Sequence, residues 1–244
     1  MKFKSFHHLM LAFFAGTFLL IACSFSSENH NDQDDDRVSR TFNLKDFDRL
    51  SLGSAFEINV TKGSYAVKVE GRKQDLAELE ADVSGDKLRI RYKDSHNWGK
   101  NRKRVMVTIS MPTLKGLDLS GATTSTISGF NDLGTLDLDI SGASKSDIRL
   151  KAQKIIMDAS GASTITLTGS ASRIEGEVSG ATSLRAYDFS VKDAFLDVSG
   201  ASSIKLNVSG KLEVEASGAS NVRYRGTASV RSSTSGASSV KGES

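Results

Sequence analysis

The chain has 244 residues and a formal net charge of +3, from 32 basic and 29 acidic side chains, with a single cysteine, four histidines and one proline. That balance lacks the basic excess by which nucleic-acid binders are recognised. One cysteine excludes an intramolecular disulfide framework and a Cys-rich zinc site, and four histidines are too few for a His-rich metal centre.

Lys2 and Lys4 precede an apolar run from Leu9 to Ala22. A short positive region before an apolar stretch has the form of a secretory signal, and this run is too short to span a bilayer comfortably. It ends Leu20-Ile21-Ala22-Cys23, which resembles a bacterial lipoprotein signal, Leu-x-small-Cys. On that reading residues 1–22 are removed, the charge falls to +1, and Cys23 becomes the lipidated first residue. The alternative is an ordinary signal with a stray cysteine. Acyl chains on Cys23 would anchor the protein to the membrane, each buried methylene contributing ~0.8 kcal/mol. Residues 23–40 are polar and acidic, with Glu28, Asp32, Asp34, Asp35 and Asp36, and read as a disordered tether. The expected location is the cell envelope, as an outer-membrane lipoprotein facing either the periplasm or the exterior.

Residues 41–115 show irregular alternation. Strands are expected at Phe47–Leu52, Phe56–Thr61, Tyr65–Glu70, Lys87–Lys93 and Arg104–Met111. Lys62-Gly63 and Ser84-Gly85-Asp86 read as hairpin-like turns, Gln74–Leu79 as a short helical turn, and Ser95–Lys103 as a polar loop holding Trp98. This part reads as an N-terminal cap with the first irregular coils. A small separate β domain is the alternative.

From residue 116 to residue 244 the sequence repeats. Ser-Gly-Ala recurs with its glycine at Gly121, Gly142, Gly161, Gly180, Gly200, Gly218 and Gly236, spaced 21, 19, 19, 20, 18 and 18 residues apart, and always followed by Ser or Thr. Around each glycine mostly apolar residues alternate with period two: Leu117 and Leu119, then Leu138 and Ile140, lie before their corners, and Ile165 with Leu167, then Ile204 with Leu206, lie after. Period two means strands with one inward face. Each repeat is therefore a strand, a tight corner, a second strand and a looser turn. One such unit cannot bury its apolar row, but a stack of them can. The expected fold is all-β, a right-handed parallel β-helix (β-solenoid) or a flattened two-sheet relative, with strands about 4.8 Å apart.

The same alternation fixes what points outward. Three residues before each glycine stand Asp118, Asp139, Asp158, Glu177, Asp197 and Glu215, and Ser233 ends the series. They form a candidate face for hard cations such as Ca²⁺ or for a cationic partner, or else a solvated face that keeps the rod soluble. Five residues after the glycine the later repeats carry Arg185, Lys205, Arg223 and Lys241. Arg102-Lys103-Arg104, near Lys100 and Trp98, is the densest basic cluster, a candidate for anionic glycan or lipid headgroups.

The chain resembles the head GIN domain family of autotransporter-type adhesins, common as predicted lipoproteins in Bacteroidetes-type bacteria. The resemblance rests on Phe47-Asp48-Arg49-Leu50-Ser51-Leu52, on the strand and turn from Ala55 to Gly63, on Val105 to Pro112, and above all on the reiterated Ser-Gly-Ala-Ser, including Ser217 to Gly226. It covers about residues 45–240. It implies an adhesin role and supplies no catalytic residues.

No P-loop, dinucleotide fingerprint, His-Glu-x-x-His helix or Gly-x-Ser-x-Gly elbow occurs, so neither cofactor nor catalytic residue is expected. The functional expectation is a non-enzymatic, membrane-anchored β-solenoid whose sides present a binding or structural surface to a glycan or envelope protein. The alternative is a carbohydrate-active enzyme, a polysaccharide lyase or hydrolase, by analogy with other parallel β-helices. That alternative predicts a groove with paired carboxylates.

Overall fold

A computed structural model describes residues 36–93 and 102–243. The signal segment 1–22, Cys23, most of the tether, His30, and the part of the polar loop holding His96, Trp98 and Lys100 lie outside the described residues.

In chain order the elements are β1 (Arg37–Phe42), β2 (Arg49–Leu52), β3 (Glu57–Lys62), β4 (Ala66–Arg72), α1 (Lys73–Ala77), β5 (Leu79–Ser84), β6 (Lys87–Tyr92), β7 (Met106–Met111) and β8 (Gly116–Leu119). They continue as β9 (Thr124–Ile140), β10 (Lys145–Ala159), β11 (Thr164–Val178), β12 (Ser183–Val198), β13 (Ser203–Ala216), β14 (Asn221–Arg225), β15 (Ser229–Thr234) and β16 (Ser239–Gly242). From β8 onward every pairing is parallel, strand on equivalent strand one repeat away, as a β-solenoid requires.

The long strands β9 to β13 each bend in the middle and so belong to two sheets. Their first arms extend a sheet running β1-β4-β7-β3 through β9–β13 to β14 and β16. Their second arms extend another, β5-β6-β2-β8 through β9–β13 to β15. Between the sheets lies one apolar core. Leu119, Ile140, Val178 and Val198 fill it from before the corners, and Ile127, Ile165, Leu184 and Ile204 from after, all at most 2% exposed. Where the repeat puts a polar residue inside, it arrives in pairs: Ser125 and Ser146 are both buried and share a 2.9 Å hydrogen bond.

The corners explain the Ser or Thr that follows each Ser-Gly-Ala. That side chain is buried in all but the last corner, and in Ser144, Ser163, Ser202 and Ser220 its hydroxyl donates to the carbonyl of the serine three residues back, at 2.8–2.9 Å, while Thr123 donates to Ser144 at 3.0 Å and the Thr182 hydroxyl finds no partner. A buried carbonyl without a donor costs about 1–3 kcal/mol, so a short hydroxyl side chain is the natural occupant. Between coils, from Ala143 onward, the amide of each corner alanine donates to the glycine carbonyl of the coil before, as Ala162 does to Gly142 at 2.8 Å.

Residues 41–115 contain two further coils that carry no Ser-Gly-Ala. Strands β2 and β3 are one, stacked in parallel between β8 and β9 on one side and β6 and β7 on the other. Its corner reads Gly53-Ser54-Ala55, with the first two residues exchanged relative to the repeat. Ser54 takes the glycine's backbone state, φ 78°, and its carbonyl accepts from the Ala122 amide at 3.0 Å. A serine held there is strained by about 1–2 kcal/mol, partly offset by its smaller entropy loss on folding. Ser54→Gly is therefore expected to stabilise the protein by about 1 kcal/mol, read as a higher midpoint in urea at unchanged slope.

Two expectations are corrected. Lys62-Gly63 is not a hairpin turn: β4 pairs antiparallel with β7 and β1, because β7 takes the place beside β3. Residues 37–40, placed in the tether by their polarity, lie in β1, an edge strand whose side chains are exposed and therefore carry no apolar alternation. The Ser84-Gly85-Asp86 turn does join an antiparallel hairpin, β5 to β6. The short helical turn is α1, at Lys73–Ala77.

Candidate functional site

The acidic residues stand where alternation places them. On the second sheet Asp118 pairs with Asp139, Asp139 with Asp158, Asp158 with Glu177, Glu177 with Asp197, and Asp197 with Glu215. They make one outward column, one carboxylate per coil. At the N-terminal end Ser51 continues the column and donates to Asp118 at 3.0 Å, and Ser233 follows Glu215 at the other end. The neighbouring cations are engaged one column over. Lys154 meets Glu175 at 2.6 Å, and Lys211 meets Glu213 at 2.9 Å. Between them Phe195 lies under the guanidinium of Arg173 at 4.3 Å and the ammonium of Lys211 at 5.1 Å. Sequence reading missed this aromatic, because Phe195 has no counterpart in the other repeats.

Shallow grooves run beside the column. One, of about 240 Å³, lies between Glu177, Asp197 and Glu215 and the corner serines Ser179, Ser199 and Ser217. A second, of about 440 Å³, lies on the far side, toward Glu175, Phe195 and Glu213. The first is walled by acids and serines that recur coil after coil, whereas the second adds Arg173 and the single Phe195. A further groove of about 200 Å³, at the N-terminal end of the column, lies between Asp118, Asp137 and Asp139 and the cations Arg49 and Lys87, with Arg49 paired to Asp137 at 2.8 Å. Among the described residues no group of three or more His, Cys, Asp or Glu side chains is arranged to hold a metal ion.

Burial, then the charges of Asp118 and Asp158, hold the Asp139 carboxyl above the ordinary aspartate value, against a smaller pull from Lys87. A native carboxyl with a raised pKa binds its proton more readily than the unfolded chain does. Asp139 therefore costs stability as pH rises through that raised value, and the cost fades on acidification toward the unfolded value of ~3.9. Asp139→Asn is expected to raise the melting midpoint at neutral pH by on the order of 1 °C, since solvent screens the exposed column. The gain should vanish near pH 3, below both values.

On the first sheet Arg185 pairs with Lys205, Lys205 with Arg223, and Arg223 with Lys241, so the basic residues also form a column in register. The basic cluster at Arg102–Arg104 is partly engaged within the cap. Arg102 holds Glu78 at 2.8 Å and stacks over Tyr92 at 4.0 Å, while the Lys103 amide donates to the buried Asp75 at 3.2 Å.

Residues 46–228 match the family described as "Putative auto-transporter adhesin, head GIN domain". The chain belongs to this family. Solved structures share its fold. A "putative adhesin" from Bacteroides fragilis superposes with a TM-score of 0.76 at 21% identity, over 85% of this chain and 97% of that one. A "putative adhesin" from Parabacteroides merdae gives 0.68 at 17% identity, over 86% and 98%. A "putative lipid binding protein" from Parabacteroides distasonis gives 0.58 at 16%, over 86% and 98%. No curated protein matches the sequence. Among the described residues no helix is long and apolar enough to cross a membrane.

Proposed function

We propose that this head GIN domain protein is a cell-envelope lipoprotein, held to the membrane through acylated Cys23, whose solenoid is a non-enzymatic adhesin surface. The observation that carries the reading is the regularity of the outward faces. Acids recur once per coil in register from Asp118 to Glu215, cations recur once per coil from Arg185 to Lys241, and the groove along the corner serines is walled by the same reiterated positions. A catalytic centre needs unlike groups converging on one reacting atom. Reiterated ladders instead suit a long, repetitive partner met over many weak contacts. Family membership points the same way.

Two measurements test this. Cells fed an alkyne-bearing palmitate should label the protein, and Cys23→Ser should abolish the label and free the chain from the membrane fraction. Protease shaving of intact cells should remove the solenoid if it faces outward, and deletion of the gene should then lower adhesion to coated surfaces. Glycan cleavage by the purified protein, lost on mutating Asp139 or Asp158, would establish the carbohydrate-active alternative in its place.

A further inference from the structure

We infer that the basic column Arg185–Lys205–Arg223–Lys241 is a docking track for a linear acidic polysaccharide lying along the solenoid axis. The inference names a ligand class for the adhesin reading and rests on it.

Like charges on adjacent strands, about 5 Å apart, repel by roughly 1 kcal/mol per pair in water. Elsewhere outward cations meet acids: Lys154 and Arg173 meet Glu175, Lys211 meets Glu213, Lys68 meets Glu70, and Arg91 meets Glu80. In this column the compensation is thin. Arg223 shares Glu243 at 3.1 Å, and Lys205 lies 5.6 Å from the centroid of the Tyr187 ring. Arg185 and Lys241 have no ion-pair partner among the described residues, and both are exposed. The same column is uncharged or acidic in earlier coils, at Thr126, Asp147 and Thr166, so the positive stretch is confined to the last four rungs.

The neighbouring column gives the ligand its chemistry. Two residues before each cation stand Ser183, Ser203, Asn221 and Ser239, in register with one another. Cations beside short hydroxyl and amide groups match a ring that carries one carboxylate and several hydroxyls. An extended uronic-acid polymer advances per ring by about the 5 Å that the sheet advances per strand, so the carboxylates that turn toward the sheet fall in step with the cations. A bilayer is a poorer fit, because the flanks, Ser183 and Ser203 on one side and Arg225, Glu243 and the hydrogen-bonded Tyr187 on the other, offer polar and charged groups rather than aliphatic side chains to insert.

The test uses the full chain in detergent micelles and a fluorescent hexamannuronate, with anisotropy followed against ionic strength. Binding should appear at low salt and weaken as salt rises. The double variant Arg185→Gln/Lys205→Gln should lose at least about ten-fold in affinity while keeping its melting midpoint, whereas Lys151→Gln, an exposed cation elsewhere, should change nothing. Any of five outcomes overturns the inference: no binding at low salt; an equal loss in Lys151→Gln; equal competition by polyglutamate, which would mark an acidic protein partner; self-association that the double variant abolishes; or capture of anionic vesicles that the double variant abolishes. Cell assays separate this from the adhesin reading. If gene deletion lowers adhesion and the double variant does not, the track falls and the adhesin stands. If the track binds but deletion leaves adhesion intact, the adhesin falls and the track stands.

Discussion

Gly161→Val is expected to destabilise the protein by about 3–5 kcal/mol, a large share of the ~5–15 kcal/mol that holds a typical domain folded. Gly161 has φ +76°, in the left-handed region that a β-branched residue occupies only under strain. A side chain there would also drive its first carbon into the Gly142 carbonyl oxygen and to 2.9 Å from the Gly142 nitrogen. Neither obstacle can move aside, because both are backbone of the preceding coil, tied by the 2.8 Å bond from the Ala162 amide. The comparison is Thr166→Val, five residues on and outward-facing, which should stay within about 0.5 kcal/mol of wild type. Urea denaturation followed by circular dichroism gives both numbers. Hydrogen exchange adds location. Each coil touches only its neighbours, so protection should fall first at the Ala162 and Ala181 amides and persist in β2 and β3. A Gly161→Val protein with unchanged midpoint would mean the corners are not stacked backbone on backbone.

What the sequence made legible, and what it hid, follows from how far each rule reaches. Counting outward from a corner glycine locates inward and outward residues correctly for about six positions either way, because period two is unbroken there; the acidic and basic columns were both found so. The count fails through the bend. Between β12 and β13 the register slips at Ala186/Ser190 and again at Val191/Asp193. Each slip inserts or removes residues on one strand and can reverse the parity beyond it. The bend has no recurring motif to announce it. The eighth corner, at Ser54, was hidden because serine occupies the position that glycine marks elsewhere. Strand β5 was hidden differently. Its residues after Leu79 are all at least partly exposed, so Ala81 and Val83 alternate with acids without a buried face to set the pattern.

Phe189→Ala and Phe195→Ala turn that parity reversal into a measurement. The two are six residues apart, an even number, so unbroken alternation would put them on the same face. In the structure Phe189 is fully buried, in register with Gly169, while Phe195 lies outside among Arg173 and Lys211. Truncating Phe189 empties a ring's volume in a core whose neighbouring rung is a glycine with no side chain to fill it, and should cost about 3–5 kcal/mol. Truncating Phe195 removes only its cation contacts and partial burial, worth about 1 kcal/mol. The difference between the two variants, in urea midpoints at equal slope, should therefore exceed about 2 kcal/mol. The consequence reaches beyond the core. Glu175 and Glu213 stand in register with Phe195, so the side on which that ring lies fixes the side on which they lie. Equal losses would place Phe195 inside and carry Glu175 and Glu213 inward with it, where their pairs with Lys154 and Lys211 cannot form. The acidic column, two residues on and so on the same face, would lose its outward position as well.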